Sequence, residues 1–142
     1  MTGKPLVEFR NITSTVLGGV TGFEDEVTCV AVHSGLVVVG TRNGSIYQVD
    51  HAPSTRVRKI ATNCSHVHAL SLDVQGRFCA SGTADGRVTV WSLWPGVEPW
   101  VCEHSSEPVL SVSLCPDYAS NASENLAVCA GGSDGRLVLH RR

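Results

Sequence analysis

The sequence predicts an all-β protein made of a repeated unit of antiparallel strands. Three observations carry that prediction. The stretches VVVGTRNGSIYQVD (37–50), FCASGTADGRVTVW (78–91) and AVCAGGSDGRLVLH (127–140) share one pattern. Each sets Asn-Gly or Asp-Gly between an apolar run and an alternating strand, at Asn43-Gly44, Asp85-Gly86 and Asp134-Gly135. In each, an earlier glycine also aligns: Gly40, Gly82 and Gly131. Helical periodicity is weak throughout, while period-2 alternation bounded by turn residues recurs.

The elements follow in order. Leu6–Ile12 reads as a polar strand, and the Gly- and Thr-rich stretch 13–24 as a loop. Val27–Val32 is a β-branched run closed by His33-Ser34-Gly35, and it leads into the first shared stretch. Thr55–Thr62 is a second polar strand. His68–Leu72 follows, closed by Asp73-Val74-Gln75-Gly76, and leads into the second stretch. Pro99–His104 is the third polar strand. Val109–Leu114, closed by Cys115-Pro116-Asp117, leads into the third stretch. At Asn-Gly and Asp-Gly the expected connection is a two-residue primed turn, whose twist matches the strands and whose central residues need positive φ.

Each unit thus holds four strands. Gly44, Gly86 and Gly135 stand 42 and 49 residues apart, and the longer spacing absorbs the polar loop 116–125. Four strands per 40–45 residues is the blade of a β-propeller. The expected fold is a partial propeller of about three four-stranded antiparallel blades over residues 1–142, with repeats at roughly 6–50, 55–93 and 99–142. Propellers close at typically four to eight blades. Three blades leave an apolar face and sheet edges open, so the chain reads as a piece of a larger propeller that self-associates or is marginally stable when alone.

Composition bounds the function. A chain of 142 residues with 42% hydrophobic and 17% charged content is a folded segment of domain size. A formal net charge of −2 and scattered Lys and Arg give no basic stripe for nucleic acid. No apolar run reaches the roughly 20 residues of a membrane-spanning helix, and MTGKPLVEFRN has no signal-peptide core. A cytoplasmic protein, peripheral to a membrane through partners, is expected. The cysteines at 29, 79, 115 and 129 lie in or beside strands and read as small hydrophobes rather than disulfides. The Asn-x-Ser/Thr triplets at Asn11, Asn43, Asn63 and Asn121 read as chance in such a compartment.

Site chemistry is sparse. Cys64-x-His66-x-His68 offers three zinc-ligand types, but an extended strand spreads them over about 13 Å, too far for one ion. A metal-dependent hydrolase built on these three is the alternative from another functional class. Asp85 and Asp134 align with Asn43 and read as turn formers rather than a catalytic pair. Gly131-Gly132-Ser133-Asp134-Gly135 lacks the Lys and the helix of a phosphate loop. Trp91, Trp94 and Trp100 gather around Pro95-Gly96, either as blade-edge packing or as an aromatic anchor for a partner. No catalytic, cofactor-binding or metal residue is assigned, and no enzyme activity or cofactor is expected.

LSLDVQGRFCASGTADGRVTVWSL resembles a WD repeat through its strand, Gly turn, strand, Asp-Gly turn and strand ending in Trp91. The closing Trp-Asp pair is degenerate: Val49-Asp50, Trp91-Ser92 and His140-Arg141. The order of the units narrows the resemblance. The run from Ala31-Val32-His33 to Asp50, the run from Ser71-Leu72-Asp73 to Val90, and the insert before Gly131-Gly132 are together similar to the start of the propeller in the vacuolar protein sorting-associated protein 41 family, WD-repeat subunits of the HOPS tethering complex. The resemblance implies a protein-interaction scaffold in endosome-to-vacuole or lysosome trafficking and fusion; the alternative within the binding class is a WD-repeat scaffold of another complex. It also implies partners among the other tether subunits and a Rab-type GTPase, at the late endosome or vacuole membrane.

Overall fold

The computed structural model describes residues 25–50, 56–62, 65–103, 106–118 and 128–141. The expected strand Leu6–Ile12, the loop 13–24, Cys64, and most of the loop 116–125 lie outside them. Eleven strands are present among the described residues: β1 (Val27–His33), β2 (Leu36–Thr41), β3 (Ser45–Asp50), β4 (Arg56–Thr62), β5 (Val67–Leu72), β6 (Phe78–Thr83), β7 (Arg87–Ser92), β8 (Trp100–Glu103), β9 (Val109–Leu114), β10 (Val128–Gly132) and β11 (Leu137–His140). They form three antiparallel sheets in the orders β1-β2-β3-β4, β5-β6-β7-β8 and β9-β10-β11. The first two sheets are four-stranded meanders, as the repeat predicts.

The sheets and the sequence repeats are offset by one strand. Thr55–Thr62, which leads the second repeat, pairs as β4 with β3 through Tyr47↔Lys59 and Val49↔Val57. Trp100–Glu103, which leads the third, pairs as β8 with β7. Each of these strands folds back antiparallel on the hairpin before it, as consecutive strands commonly do.

The turns correct a second expectation. Asn43, Asp85 and Asp134 do not take positive φ; only their glycines do, at 91°, 86° and 79°. The amide of Gly44 donates to Thr41 O, that of Gly86 to Thr83 O, and that of Gly135 to Gly132 O. Each link is a four-residue turn ending on a left-handed glycine, which forms a bulge rather than a primed turn. The acidic residue serves through its side chain: Asp134 Oδ1 accepts from the amide of Arg136 at 3.0 Å, and Asp85 Oδ1 from the Thr83 hydroxyl. The two-residue turn with both φ positive is Ser34-Gly35, closing the pair His33↔Leu36.

The first strand of every sheet carries a bulge at the same register. The irregularity falls at Val27/Cys29 opposite Gly40, at Val67/Ala69 opposite Gly82, and beside Val109 opposite Gly131/Gly132. It turns Val67 and Val109 away from their own sheets. Val67 settles on Gly40 of the first sheet and Val109 on Gly82 of the second. A Cβ on Gly40 would meet Val67 Cγ1 at 2.7 Å, and one on Gly82 would meet Val109 Cγ1 at 2.6 Å.

Two apolar layers grow around these contacts. Val38, Ile46, Ala61, Val67, Cys79 and Leu93 fill the space between the first two sheets. Ala80, Val88, Val90, Cys102, Val109, Leu114, Val128 and Ala130 fill the space between the second and third. Polar clasps cross the same seams. Thr28 Oγ1 donates to Val67 O, Arg58 Nη2 to Leu93 O at 2.8 Å, and the amide of Leu114 to Ser71 Oγ at 2.9 Å. Sheet-on-sheet packing of this kind, repeated, is the propeller principle.

Gly82→Ala forces a methyl into Val109 and destabilises the fold by about 1–3 kcal/mol, the usual cost of overpacking. Gly131→Ala, at the same register, meets only Ser111 Oγ at 3.0 Å, which can rotate away; its effect stays within about 0.5 kcal/mol. Urea denaturation of the two variants reads the difference. Asp73 is buried and its Oδ1 accepts from the amides of Arg77 and Phe78 at 2.8 and 2.9 Å. Asp73→Ala orphans both donors and is expected to lower stability by about 1–3 kcal/mol in the same assay.

Candidate functional site

An open groove of about 440 Å³ crosses the seam between the first two sheets. Leu36 and Leu93 supply apolar lining, Gln48, Asp50 and Arg58 supply polar groups, and Trp94-Pro95 lies on it. The polar groups form one chain. Arg58 Nη2 donates to Gln48 Oε1 at 2.7 Å as well as to Leu93 O, and Gln48 Nε2 donates to Asp50 Oδ1 at 3.2 Å. Arg58 therefore ties β4 to the loop after β7 across the groove. Its volume suits a few side chains of an extended peptide.

The three tryptophans part company. Trp91 is half-buried against the layer between the first two sheets, and its Nε1 donates to Ser81 Oγ at 2.8 Å. Trp100 packs against the layer between the second and third sheets. Trp94 is 63% exposed, and its loop is fixed by Ser92 Oγ, which donates to Trp94 O and accepts from its amide. The sequence groups the three by proximity; the structure sets two on seams and leaves Trp94 at the groove. What separates them is strand register: Trp91 lies in β7 and Trp100 begins β8, whereas Trp94 stands in the connection.

The histidines of the Cys64-x-His66-x-His68 stretch do come together. Their rings stack at 4.3 Å between centroids and 22° between planes. Ring nitrogens carry their lone pairs in the ring plane, so stacked imidazoles aim them side by side and not at a common point. Among the described residues no group of three His, Cys, Asp or Glu is placed to hold a metal ion. Nor are the buried thiols poised for chemistry. Burial pushes Cys79 up to about 12 and Cys102 up to about 11, and raises Cys29, so these stay protonated at neutral pH. The free cysteines described are Cys29, Cys79, Cys102, Cys115 and Cys129; Cys79 and Cys102 are buried and the other three half-buried. Cys102 joins the core although sequence reasoning passed it over, since it stands in the four-residue strand β8. Asp85 and Asp134 sit in separate turns of separate sheets, engaged with their own backbone.

Burial, and then the neighbouring His66, holds His68 below the usual histidine value. A base whose folded value is depressed takes up protons more readily when unfolded. Its contribution is intact above the unfolded value and is lost as pH falls through that value toward the folded one. His66→Ala removes the like charge and raises the His68 midpoint toward normal, leaving the part due to burial. A proton NMR titration of the imidazole signals reads the shift.

No helix among the described residues is long and apolar enough to cross a membrane. The fold and its surface place the chain among propellers, and comparison with known proteins agrees. The WD40 propeller domain of Doa1 superposes with a TM-score of 0.67 at 15% identity, over 83% of this chain and 38% of that one. The Cps50 (Swd1) propeller of Myceliophteria thermophila superposes with a TM-score of 0.67 at 19% identity, over 82% and 36%. At these identities the likeness shows the fold alone. In sequence, the chain is similar to the vacuolar protein sorting-associated protein 41 homologues of Solanum lycopersicum, 29% identical over 82% of this chain, and Arabidopsis thaliana, 26% over 83%. The homologue of Danio rerio is 25% identical over 98% of it. The chain spans 12% of the length of the two plant relatives and 15% of the fish one. The domain family Beta-prop_Vps41, described as the Vps42 beta-propeller, matches residues 20–142. The chain belongs to this Vps41 β-propeller family.

Proposed function

We propose that this chain is a non-catalytic interaction scaffold in vacuolar protein sorting, acting as part of a tether in endosome-to-vacuole or lysosome fusion. The match of residues 20–142 to the Vps41 propeller family carries the reading. The geometry supports it. The sheets are locked to one another by Val-on-Gly contacts and polar clasps, so they present their loops at fixed spacing. A rigid display surface binds through shape and a few anchors, with little ordering cost.

The partners proposed are other subunits of the tether and a Rab-type GTPase, with the protein cytoplasmic and peripheral to the late endosome or vacuole membrane. Trp94, exposed beside the groove, is the anchor proposed for such a partner, as exposed aromatics beside pockets dominate interface energies. Truncating such an anchor typically costs about 2 kcal/mol or more in binding. The test is affinity purification of the tagged native protein, followed by mass spectrometry. Recovery of the tether subunits, reduced about tenfold or more by Trp94→Ala with the thermal unfolding midpoint unchanged, is the expected result. Recovery of an unrelated complex would replace the tether reading. Recovery unaffected by Trp94→Ala would move the contact off the groove.

A further inference from the structure

We infer that the groove between the first two sheets takes an extended segment of a partner protein, with an aromatic side chain in the groove and an acidic one on Arg58; this rests on the groove being a partner contact, as proposed above. The second seam is the template. Leu36, opposite Asp50, stands at the register of Phe78, opposite Ser92. Arg58, opposite Gln48, stands at the register of Trp100, opposite Val90. Gly76 closes the turn after β5, its amide donating to Asp73 O, and Tyr118 closes the turn after β9, its amide donating to Cys115 O.

At the second seam these positions are filled from within the chain. The rings of Phe78 and Tyr118 meet edge to face, 4.9 Å between centroids and 72° between planes. Both pack with Trp100 against the apolar layer there. At the first seam the same three positions hold a leucine, a glycine and an arginine. The His33 ring takes up part of the difference, since a Cβ on Gly76 would meet its Nδ1 at 2.6 Å. About 440 Å³ is left open. Leu36 and Leu93 line it, and Trp94 offers a ring for edge-to-face or offset stacking. Both walls are built by the chain itself, from β2 to β4 on one side and from the connections after β5 and β7 on the other.

Charge names the second feature of the occupant. Arg58 Nη2 is engaged by Gln48 Oε1 and Leu93 O. Among the described residues its Nε and Nη1 donors meet no acceptor, and no carboxylate lies within ion-pair distance. The guanidinium is therefore oriented by two hydrogen bonds and keeps three N–H groups and its charge unpaired. Asp50 also lines the groove, but both its oxygens face Gln48 Nε2, at 3.2 and 3.5 Å. A carboxylate entering beside Arg58 gains a charge-assisted hydrogen bond. A lysine in the same place would meet the guanidinium as a like charge.

The test pans a phage-displayed library of random dodecapeptides on the tagged native protein at its full length. Recovered sequences are expected to pair Phe, Tyr or Trp with a nearby Asp or Glu. One of them, labelled with fluorescein, then reads affinity by anisotropy. Leu36→Phe puts the second seam's ring into the groove and is expected to weaken binding about tenfold or more, with the unfolding midpoint not lowered. Arg58→Glu is expected to weaken it as much, and a peptide with lysine in place of its acid is expected to regain binding to that variant alone. Loss of folding cannot produce that exchange of preference. The inference is overturned by a library that yields no aromatic and acidic pairing, or by binding that neither substitution changes. A native protein that dimerises until Leu36→Phe separates it would also overturn it, giving the groove to a second copy. The panning makes no use of the tether: recovery of an unrelated complex in the purification above would leave a peptide result standing, and failure here would leave the tether subunits to another surface.

Discussion

The structure depends on one contact made twice: a valine from the first strand of a sheet lying on a glycine of the sheet before. Gly40 and Gly82 take ordinary negative φ, so neither is there for a turn. They are glycine because a side chain would occupy the volume that Val67 and Val109 need. This close approach sets the distance between sheets. It lets Val38, Ile46 and Ala80, Val88 reach across the seams and close-pack. The bulge beside each valine is the other half of the device. It adds one residue to the strand and swings the valine out of the alternation toward the neighbouring sheet.

Polar groups then fix the sheets in rotation, where apolar packing alone would let them slide. Thr28 reaches the carbonyl of Val67, and His33 Nε2 lies 2.6 Å from Val74 O. Gly76 has two reasons to be glycine: its φ is 67°, and a Cβ there would stand 2.6 Å from His33 Nδ1. These clasps run from side chains to backbone, so they read strand position rather than side-chain identity. A family can vary its loops on such a frame without losing the spacing between them.

Much of this was legible in the sequence. Three aligned Asn/Asp-Gly steps gave the hairpins, and alternation gave strand limits that hold to within a residue or two from β4 to β9. The aligned glycines at 40, 82 and 131 were visible too, but not their purpose. Sequence marks a glycine without saying whether torsion or volume demands it. The primed turn was the natural inference for Asn-Gly, and it failed because loop length was misjudged by one residue. With three residues in the link, positive φ is needed at the last alone. The offset between repeat and sheet was hidden because β4 and β8 stand between two hairpins and carry no mark of which neighbour they join.

The groove shows where pattern reading stops. Trp91, Trp94 and Trp100 look alike in sequence and differ by a few positions. Register decides that Trp91 and Trp100 complete seams and Trp94 does not. Arg58 and Gln48 carried no signal either, because a single polar residue in an alternating strand is the default for a solvated face. Only the arrival of the Leu93 carbonyl from the next sheet makes Arg58 a strut. Such sites arise between repeats, from residues far apart in sequence that the repeat itself does not align. A repeat therefore predicts its own core well and its binding surface poorly: the core is what every unit must share, and the surface is what each is free to change.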